Sequence, residues 1–307
     1  MPEIRREQLQ IAIVIPVYNR REATLTCLRD LSLQENATWG AWVVDDASTD
    51  GTADAVREAF PETHIVTGNG DLWWTGGTNA GIRAVLEESL LPEYILTLNN
   101  DTRMAPEYLS TLLESARTHP HALIGSLAVR DDRPDIIQDG GNRVSWLTAR
   151  FTRIARGTSR PEARAAQGRY QHVDVLSGRG MLIPVAVLAE LGLFDERRLP
   201  HYAADYEFSA RAHRRGHQLL VDYDAVVIAA TGMTGMNNED RRIPWRQLAH
   251  AFFSRRSPYN IAARFNFARC AAPALLWPVF FVCDILRLVV GRLRNQVWPP
   301  IVSGTSR

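Results

Sequence analysis

The chain has 307 residues, 46% of them apolar, and a formal net charge of +1. That is material for one large α/β domain with an appendage, and no nucleic-acid partner is expected of it. Its three cysteines, Cys27, Cys270 and Cys283, have neither metal nor redox spacing and no even pairing, which excludes a disulfide scaffold and fits a reducing cytosol. Residues 1–10 are polar and charged, a tail rather than a signal peptide.

The first predicted strand is the apolar run at residues 11–17, which ends in Pro16-Val17-Tyr18-Asn19-Arg20 and leads into a helix over 22–33. Residues 41–51 repeat the shape. A β-branched run stops at Asp45-Asp46, and Ser48, Thr49 and Asp50 offer N-cap chemistry for a helix over 52–60. Residues 68–81 predict a loop entering a helix near Asn79, with Gly76-Gly77 leaving room for close backbone approach to a ligand. A further strand, Ile95-Leu-Thr-Leu98, ends abruptly in Asn99-Asn100-Asp101. Strand and helix alternate throughout, the pattern of a mostly parallel sheet flanked by helices. Ligands of such sheets sit beyond the carboxyl ends of the strands. Tyr18/Asn19, Asp45/Asp46 and Asn99-Asn100-Asp101 are therefore expected at one edge. An acid there, in a chain without a Cys/His cluster, suits Mg²⁺ or Mn²⁺, which take one or two carboxylates and complete their shells with substrate phosphates.

Residues 131–171 are polar, Arg-rich and broken by Gly and Pro, so they predict an irregular or hairpin-like excursion with a turn at Gln138-Asp-Gly-Gly-Asn142. Strand character returns over 173–184, around Ser177-Gly-Arg-Gly180. A short helix follows over 185–191, closed by Gly192, then a helix over 205–216 and a strand over 218–228. Charge is then distributed unevenly. Residues 241–307 hold 11 arginines and one acid, Asp284, against 24 arginines and 33 acids before them. Their apolar run, 274–290, is shorter than the roughly 20 residues of a membrane span and contains Asp284 and Arg287. With Arg264, Arg269, Arg292, Arg294, Trp277 and Trp298 nearby, it reads as a helix lying at a membrane surface, the alternative being a helix packed on the core. The expected division is a catalytic domain over 1–240 and a C-terminal helical segment over 241–307.

Five segments in order resemble the family-2 inverting glycosyltransferases of GT-A fold. They are Ile15-Pro-Val-Tyr-Asn-Arg20, Val44-Asp-Asp-Ala-Ser-Thr-Asp-Gly-Thr52, Gly68-Asn-Gly-Asp-Leu-Trp-Trp-Thr-Gly-Gly-Thr-Asn-Ala-Gly81, Leu98-Asn-Asn-Asp-Thr102 and Asp205-Tyr-Glu-Phe-Ser-Ala-Arg211. The Trp-Trp-x-Gly-Gly-x-Asn and Asn-Asn-Asp forms look most like the rhamnosyltransferase-type branch that builds bacterial cell-surface polysaccharides. The resemblance implies a nucleotide-diphosphate sugar as donor, dTDP- or UDP-linked, with rhamnose the first guess. It implies a lipid-linked or growing glycan as acceptor and a place at the inner face of the cytoplasmic membrane.

Such a transfer must hold the base and ribose, stabilise the departing diphosphate and deprotonate the acceptor hydroxyl. A carboxylate can accept from the imide N–H of uracil or thymine, and from guanine's N–H edge as well. The resemblance gives the uracil or thymine contact to Asp46, leaving Asp45 as a turn carboxylate and Asp50 as an N-cap. Pro16, Tyr18, Asn19, Asn79, Asn99 and Asn100 would complete the nucleotide site. Asp101 would be the metal ligand, where relatives carry Asp-x-Asp and often a later His; here that later stretch is Ala229-Ala-Thr-Gly232. Asp205 would be the general base. Glu207 would hold a donor-sugar hydroxyl or orient the base, and Arg211 reads as a surface ion pair. Trp73, Trp74, Gly178, Arg179, His201 and Tyr202 would line the sugar and acceptor pocket, with core packing the alternative for both tryptophans. A dinucleotide oxidoreductase is excluded because no G-x-G-x-x-G follows the first strand. A non-catalytic sugar-nucleotide scaffold is the remaining alternative.

Overall fold

The computed structural model describes residues 8–230, 252–254, 257 and 259–297, with 292–297 as backbone only. Residues 1–7, the boundary at residue 240, Gly232 and Trp298 lie outside the described residues. The N-terminal half runs β1 (Ile11–Val17), α1 (Arg21–Ser32), β2 (Trp39–Asp45), α2 (Thr52–Ala59), β3 (His64–Thr67), α3 (Trp73–Leu86), β4 (Tyr94–Thr97), β5 (Thr102–Met104) and α4 (Tyr108–Thr118). β1 pairs parallel with β2 and β4, and β2 pairs parallel with β3, so the carboxyl ends of β1, β2 and β4 share one edge.

The strands alternate with period two, and each face has its own core. Ile11, Ile13 and Ile15 pack with Leu28 and Leu31 of α1 and Leu109 and Leu112 of α4. Ala12, Val14 and Val44 pack with Ile82 and Val85 of α3. Two glycines of α3, Gly77 and Gly81, serve this second face. A β-carbon on Gly81 would lie 2.4 Å from Val14 Cγ1, and one on Gly77 would lie 3.0 Å from Pro16 Cβ. The helix thus lies flush on β1 and β2. The expectation of a loop lasting to Asn79 is corrected: the helix begins at Trp73, and Gly77 makes room for the sheet.

The second half runs β6 (Leu123–Arg130), β7 (Ile137–Asp139), β8 (Asn142–Ser145), β9 (Arg150–Arg153), α5 (Arg160–Gln167), β10 (Tyr170–His172), β11 (Met181–Pro184), α6 (Val185–Leu191), α7 (Ala204–Arg214), β12 (Leu219–Ala229), α8 (Ile261–Ala271) and α9 (Trp277–Val297). The main sheet has ten strands and is mixed. β11 runs antiparallel between β4 and β6 and joins the parallel N-terminal strands to the parallel pair β6–β12. The 131–171 excursion holds the β8–β9 hairpin and α5, the latter begun by a Ser159/Glu162 capping box.

α8 and α9 are anchored to this body. Phe280 is buried, with its ring centroid 5.4 Å from that of Trp146, and Phe267 packs on Phe151. Arg214 of α7 donates to the carbonyls of Cys270 and Ala271. Asp284 pairs with Arg264 at 2.7 Å. The opposite side of this region is apolar and exposed: Leu275 is 91% accessible and Leu286 58%, with Val279, Val282 and Val290 beside them in sequence register. Among the described residues no helix is long and apolar enough to cross a membrane.

Candidate active site

The loops after β1 and β2 are locked to each other. The Asn19 N–H donates to Ser48 Oγ at 2.7 Å, and Asn19 Oδ1 accepts the Thr49 N–H at 2.9 Å. Asp50 accepts the Arg21 N–H and both polar hydrogens of Thr52, but the N-cap of α2 is Gly51, which corrects the N-cap expectation for Asp50. Tyr18 stands on the rim, 59% exposed. Asn19, Arg20 and Ala47 all take positive φ, so the two loops turn sharply at the strand ends.

The acid pair closing β2 divides its work. Asp46 Oδ1 accepts the Gly70 N–H at 2.7 Å, and its Oδ2 accepts those of Leu72 and Trp73 at 2.9 and 3.2 Å. The buried carboxylate therefore caps α3 and shapes the 68–73 turn. Asp45 accepts a single N–H, from Ser48, at 3.3 Å, and only through Oδ1. On hydrogen bonding alone, Asp45 has more capacity left for a base than Asp46.

The three residues after Leu98 also separate. Asn99 Oδ1 accepts the Trp74 indole N–H at 3.1 Å. Asn100 is buried and donates to Thr24 Oγ1 at 3.0 Å, which ties the strand end to α1. Asp101 is 8% exposed; Arg20 Nη1 donates to its Oδ2 at 3.2 Å, while Oδ1 is buried with no hydrogen-bond partner. An unsatisfied buried carboxylate oxygen costs about 1–3 kcal/mol, so it fits a ligand that the protein itself does not supply. The described residues contain no group of three His, Cys, Asp or Glu able to hold a metal. One carboxylate with an open oxygen suits a hard cation whose other ligands are phosphate and water.

Asp205 sits in the first turn of α7. Its Oδ2 accepts the Gly178 N–H at 2.8 Å and its Oδ1 the Tyr206 N–H at 2.9 Å. Desolvation raises its carboxyl above the ordinary aspartate value, opposed by the Gly178 and Tyr206 N–H groups and reinforced by Asp139. Gly178 ties this acid to the β4 edge. Its carbonyl accepts from Thr97 Oγ1 at 2.7 Å, and a β-carbon on it would lie 2.3 Å from the Trp74 ring. Trp74 in turn reaches Asn99. One indole thus spans from the Asn99-Asn100-Asp101 end to the residue that bonds Asp205. Trp73, His201 and Tyr202 form an aromatic group beside it, with centroids 5.4 and 4.3 Å apart in succession. Thr75 holds this segment through bonds to the carbonyls of Leu199 and Pro200. Arg179, next to Gly178, has a buried Nε without a hydrogen-bond partner.

Two of the expected site residues have their side chains engaged within the protein. Glu207 is buried and forms a bidentate pair with Arg211 at 3.1 Å, while Arg211 also donates to the carbonyls of Leu191 and Leu193. This corrects the surface reading of Arg211, whose side chain is largely buried. Asn79 exchanges hydrogen bonds with the backbone of Phe194 and donates to Glu196, so it clamps the 194–196 loop. Sequence reasoning missed Thr97, Thr75 and Arg20. Arg20 alone carried a signal, its place at the end of the first motif.

Residues 12–192 match the description Glycosyl transferase family 2. The chain belongs to that family. S. aureus TarS 1–349 superposes with a TM-score of 0.56 at 14% identity, covering 94% of this chain and 92% of that one. The mannosyltransferase PcManGT of Pyrobaculum calidifontis, solved with GDP-Man and Mn²⁺, gives 0.58 at 15% identity, covering 98% and 77%. GalNAc-T7 with UDP, GalNAc and Mn²⁺ gives 0.59 at 12% identity, covering 94% and 58%. At these identities the likeness is one of fold, the GT-A arrangement of a large sheet between helices. No curated protein sequence matches the chain. Asp205 lies beyond the family's matched span, so its role rests on its own geometry.

Proposed function

We propose that this glycosyltransferase moves a sugar from a nucleotide-diphosphate donor to a hydroxyl of a lipid-linked or growing surface glycan, by one inverting displacement. The observation that carries the reading is Asp205: a carboxylate made more basic by desolvation, joined through Gly178, Thr97 and Trp74 to the strand end that bears Asp101. Asp205 takes the acceptor's proton as the acceptor oxygen bonds to the anomeric carbon and the bond to the diphosphate oxygen breaks on the opposite face. Asp101 would hold a Mg²⁺ or Mn²⁺ ion through its open oxygen, and when bound that ion supplies charge neutralisation for the leaving diphosphate. Asp45, Tyr18 and the Asn19 loop form the base end, with Asp46 shaping its floor. Solved relatives hold UDP-GlcNAc in TarS and GDP-Man with Mn²⁺ in PcManGT, which supports the donor class. dTDP-rhamnose is the first donor to test.

The exposed apolar side of α9 and the hollow beside it, lined by Phe252, Phe253, Phe265 and Phe281, support a peripheral membrane position. The arginine excess of residues 241–307 adds attraction to anionic lipid. A thermal-shift screen of UDP, dTDP and GDP with and without Mn²⁺, followed by turnover of the corresponding sugars, tests the function. Absence of stabilisation by every nucleotide would sink it.

A further inference from the structure

Arg20 is held in place by a backbone that a residue with a β-carbon disfavours. Asn19 and Arg20 are consecutive left-handed residues, with φ of 58° and 65°. Asn19's bonds to Ser48 and Thr49 over-determine that turn. The result is a guanidinium 3.2 Å from Asp101 Oδ2, on a side chain 42% exposed beside a carboxylate side chain only 4% exposed. A carboxylate so enclosed is costly without a counter-charge. Arg20 provides one to Oδ2, while Oδ1 has no hydrogen-bond partner.

We infer that Arg20 is a built-in rival of the metal ion: it neutralises Asp101 in the donor-free protein and transfers its charge to the donor's diphosphate when a divalent cation takes Asp101. The inference rests on the nucleotide-sugar reading and deepens it. Charge arithmetic motivates the transfer. Asn99 and Asn100 leave Asp101 as the acid of this motif. A divalent ion shared between that acid and a doubly charged diphosphate leaves one negative charge uncompensated, which one guanidinium cancels. A planar guanidinium also suits phosphate oxygens, two at a time. The Arg20 backbone is anchored and its side chain is 42% exposed. The same cation then holds a nucleoside diphosphate in the absence of metal, which gives the enzyme residual donor affinity when metal is scarce.

The test uses the full chain as wild type, Arg20→Ala, Arg20→Gly and Arg20→Lys. Mn²⁺ binding without nucleotide is read by electron paramagnetic resonance, and UDP and dTDP binding in chelator by calorimetry. Arg20→Ala and Arg20→Gly are expected to bind Mn²⁺ alone about tenfold more tightly and nucleoside diphosphate without metal about tenfold less tightly, the effect of one charge-assisted hydrogen bond. Arg20→Lys should fall between. Arg20→Gly relieves the left-handed backbone while deleting the charge, so a folding defect of the alanine variant cannot imitate the result. A change of less than about twofold in Mn²⁺ binding for both variants overturns the inference, and so does an unchanged metal-free affinity. If the wild type binds neither nucleotide under any condition, the donor reading fails, while the Mn²⁺ arm still decides whether Arg20 competes for Asp101.

Discussion

Replacing Asp205 by Asn separates its two tasks, proton acceptance and loop anchoring. Both carboxylate oxygens accept backbone N–H groups, from Gly178 and Tyr206. An amide keeps one acceptor and turns an N–H₂ toward the other donor. One hydrogen bond is lost and two donors face each other, a cost of about 1–3 kcal/mol. At roughly 2–4 °C per kcal/mol, Tm should fall by about 2–12 °C. Donor affinity should stay within about twofold, while turnover falls by roughly 10²–10⁴ because the amide cannot take the proton. The pH profile adds an independent sign. The folded-state pKa of Asp205 is raised by burial, so wild-type kcat/KM should climb with pH through a value above that of an ordinary aspartate. This acidic limb should vanish in the variant. The same raised pKa means that the folded chain binds this proton more firmly than the unfolded chain. The stability it contributes is therefore present below the ordinary aspartate value and lost as pH rises through the raised one. Stopped-time product assays, calorimetry and thermal melts measure the three quantities. Turnover near wild type in a folded variant, or an unaltered acidic limb, would refute the base assignment.

Asp101→Ala should abolish the tightening of UDP binding by Mn²⁺; equal enhancement in the variant, read by calorimetry, would move the metal elsewhere. Asp46→Ala orphans three N–H groups, so it should lower stability by about 2 kcal/mol or more and weaken every nucleotide, whereas Asp45→Ala should weaken nucleotides roughly tenfold with little change in Tm. Equal melting temperatures for the two variants would void that division. Leu286→Asp together with Val282→Asp should reduce co-sedimentation with anionic liposomes while leaving UDP binding intact, and salt should weaken the wild-type interaction. These substitutions are preferred to truncation, because removing residues 241–307 would uncover the core around the buried Phe280.

The strand ends were legible because apolar runs stop abruptly at polar residues: β1 ends at Val17 and β4 just before Leu98-Asn99. α6 matches its predicted bounds, and α1 differs by one residue at each end. The start of α3 was hidden because Asp46, far away in sequence, caps it. β11 proved shorter than the predicted 173–184 strand for a related reason. The N–H groups of Leu176 and Gly178 bond to Ser209 and Asp205 side chains instead of to a neighbouring strand. The Glu207–Arg211 spacing suggested a pair, but its burial depends on the loop carbonyls of Leu191 and Leu193, which no local pattern encodes. Ser159-Arg-Pro-Glu162 carries the capping-box spacing in sequence and forms that box at the start of α5.

The four aspartates at the sheet edge look alike in sequence, and their hydrogen bonds tell them apart. Asp46 accepts three backbone N–H groups, Asp205 two and Asp45 one, whereas the Asp101 carboxylate accepts none from the backbone and faces an arginine. Each backbone donor stabilises the anion and uses up capacity to accept from a ligand. A carboxylate so engaged three times is best suited to hold a turn. One engaged twice but desolvated is fixed in orientation and still basic enough to take a proton. One engaged once can accept from a base, and one whose second oxygen is buried without a hydrogen-bond partner can meet a cation. The bonds that set Asp46 apart come from Gly70, Leu72 and Trp73, more than twenty residues on, so motif position alone could not separate it from its neighbour Asp45.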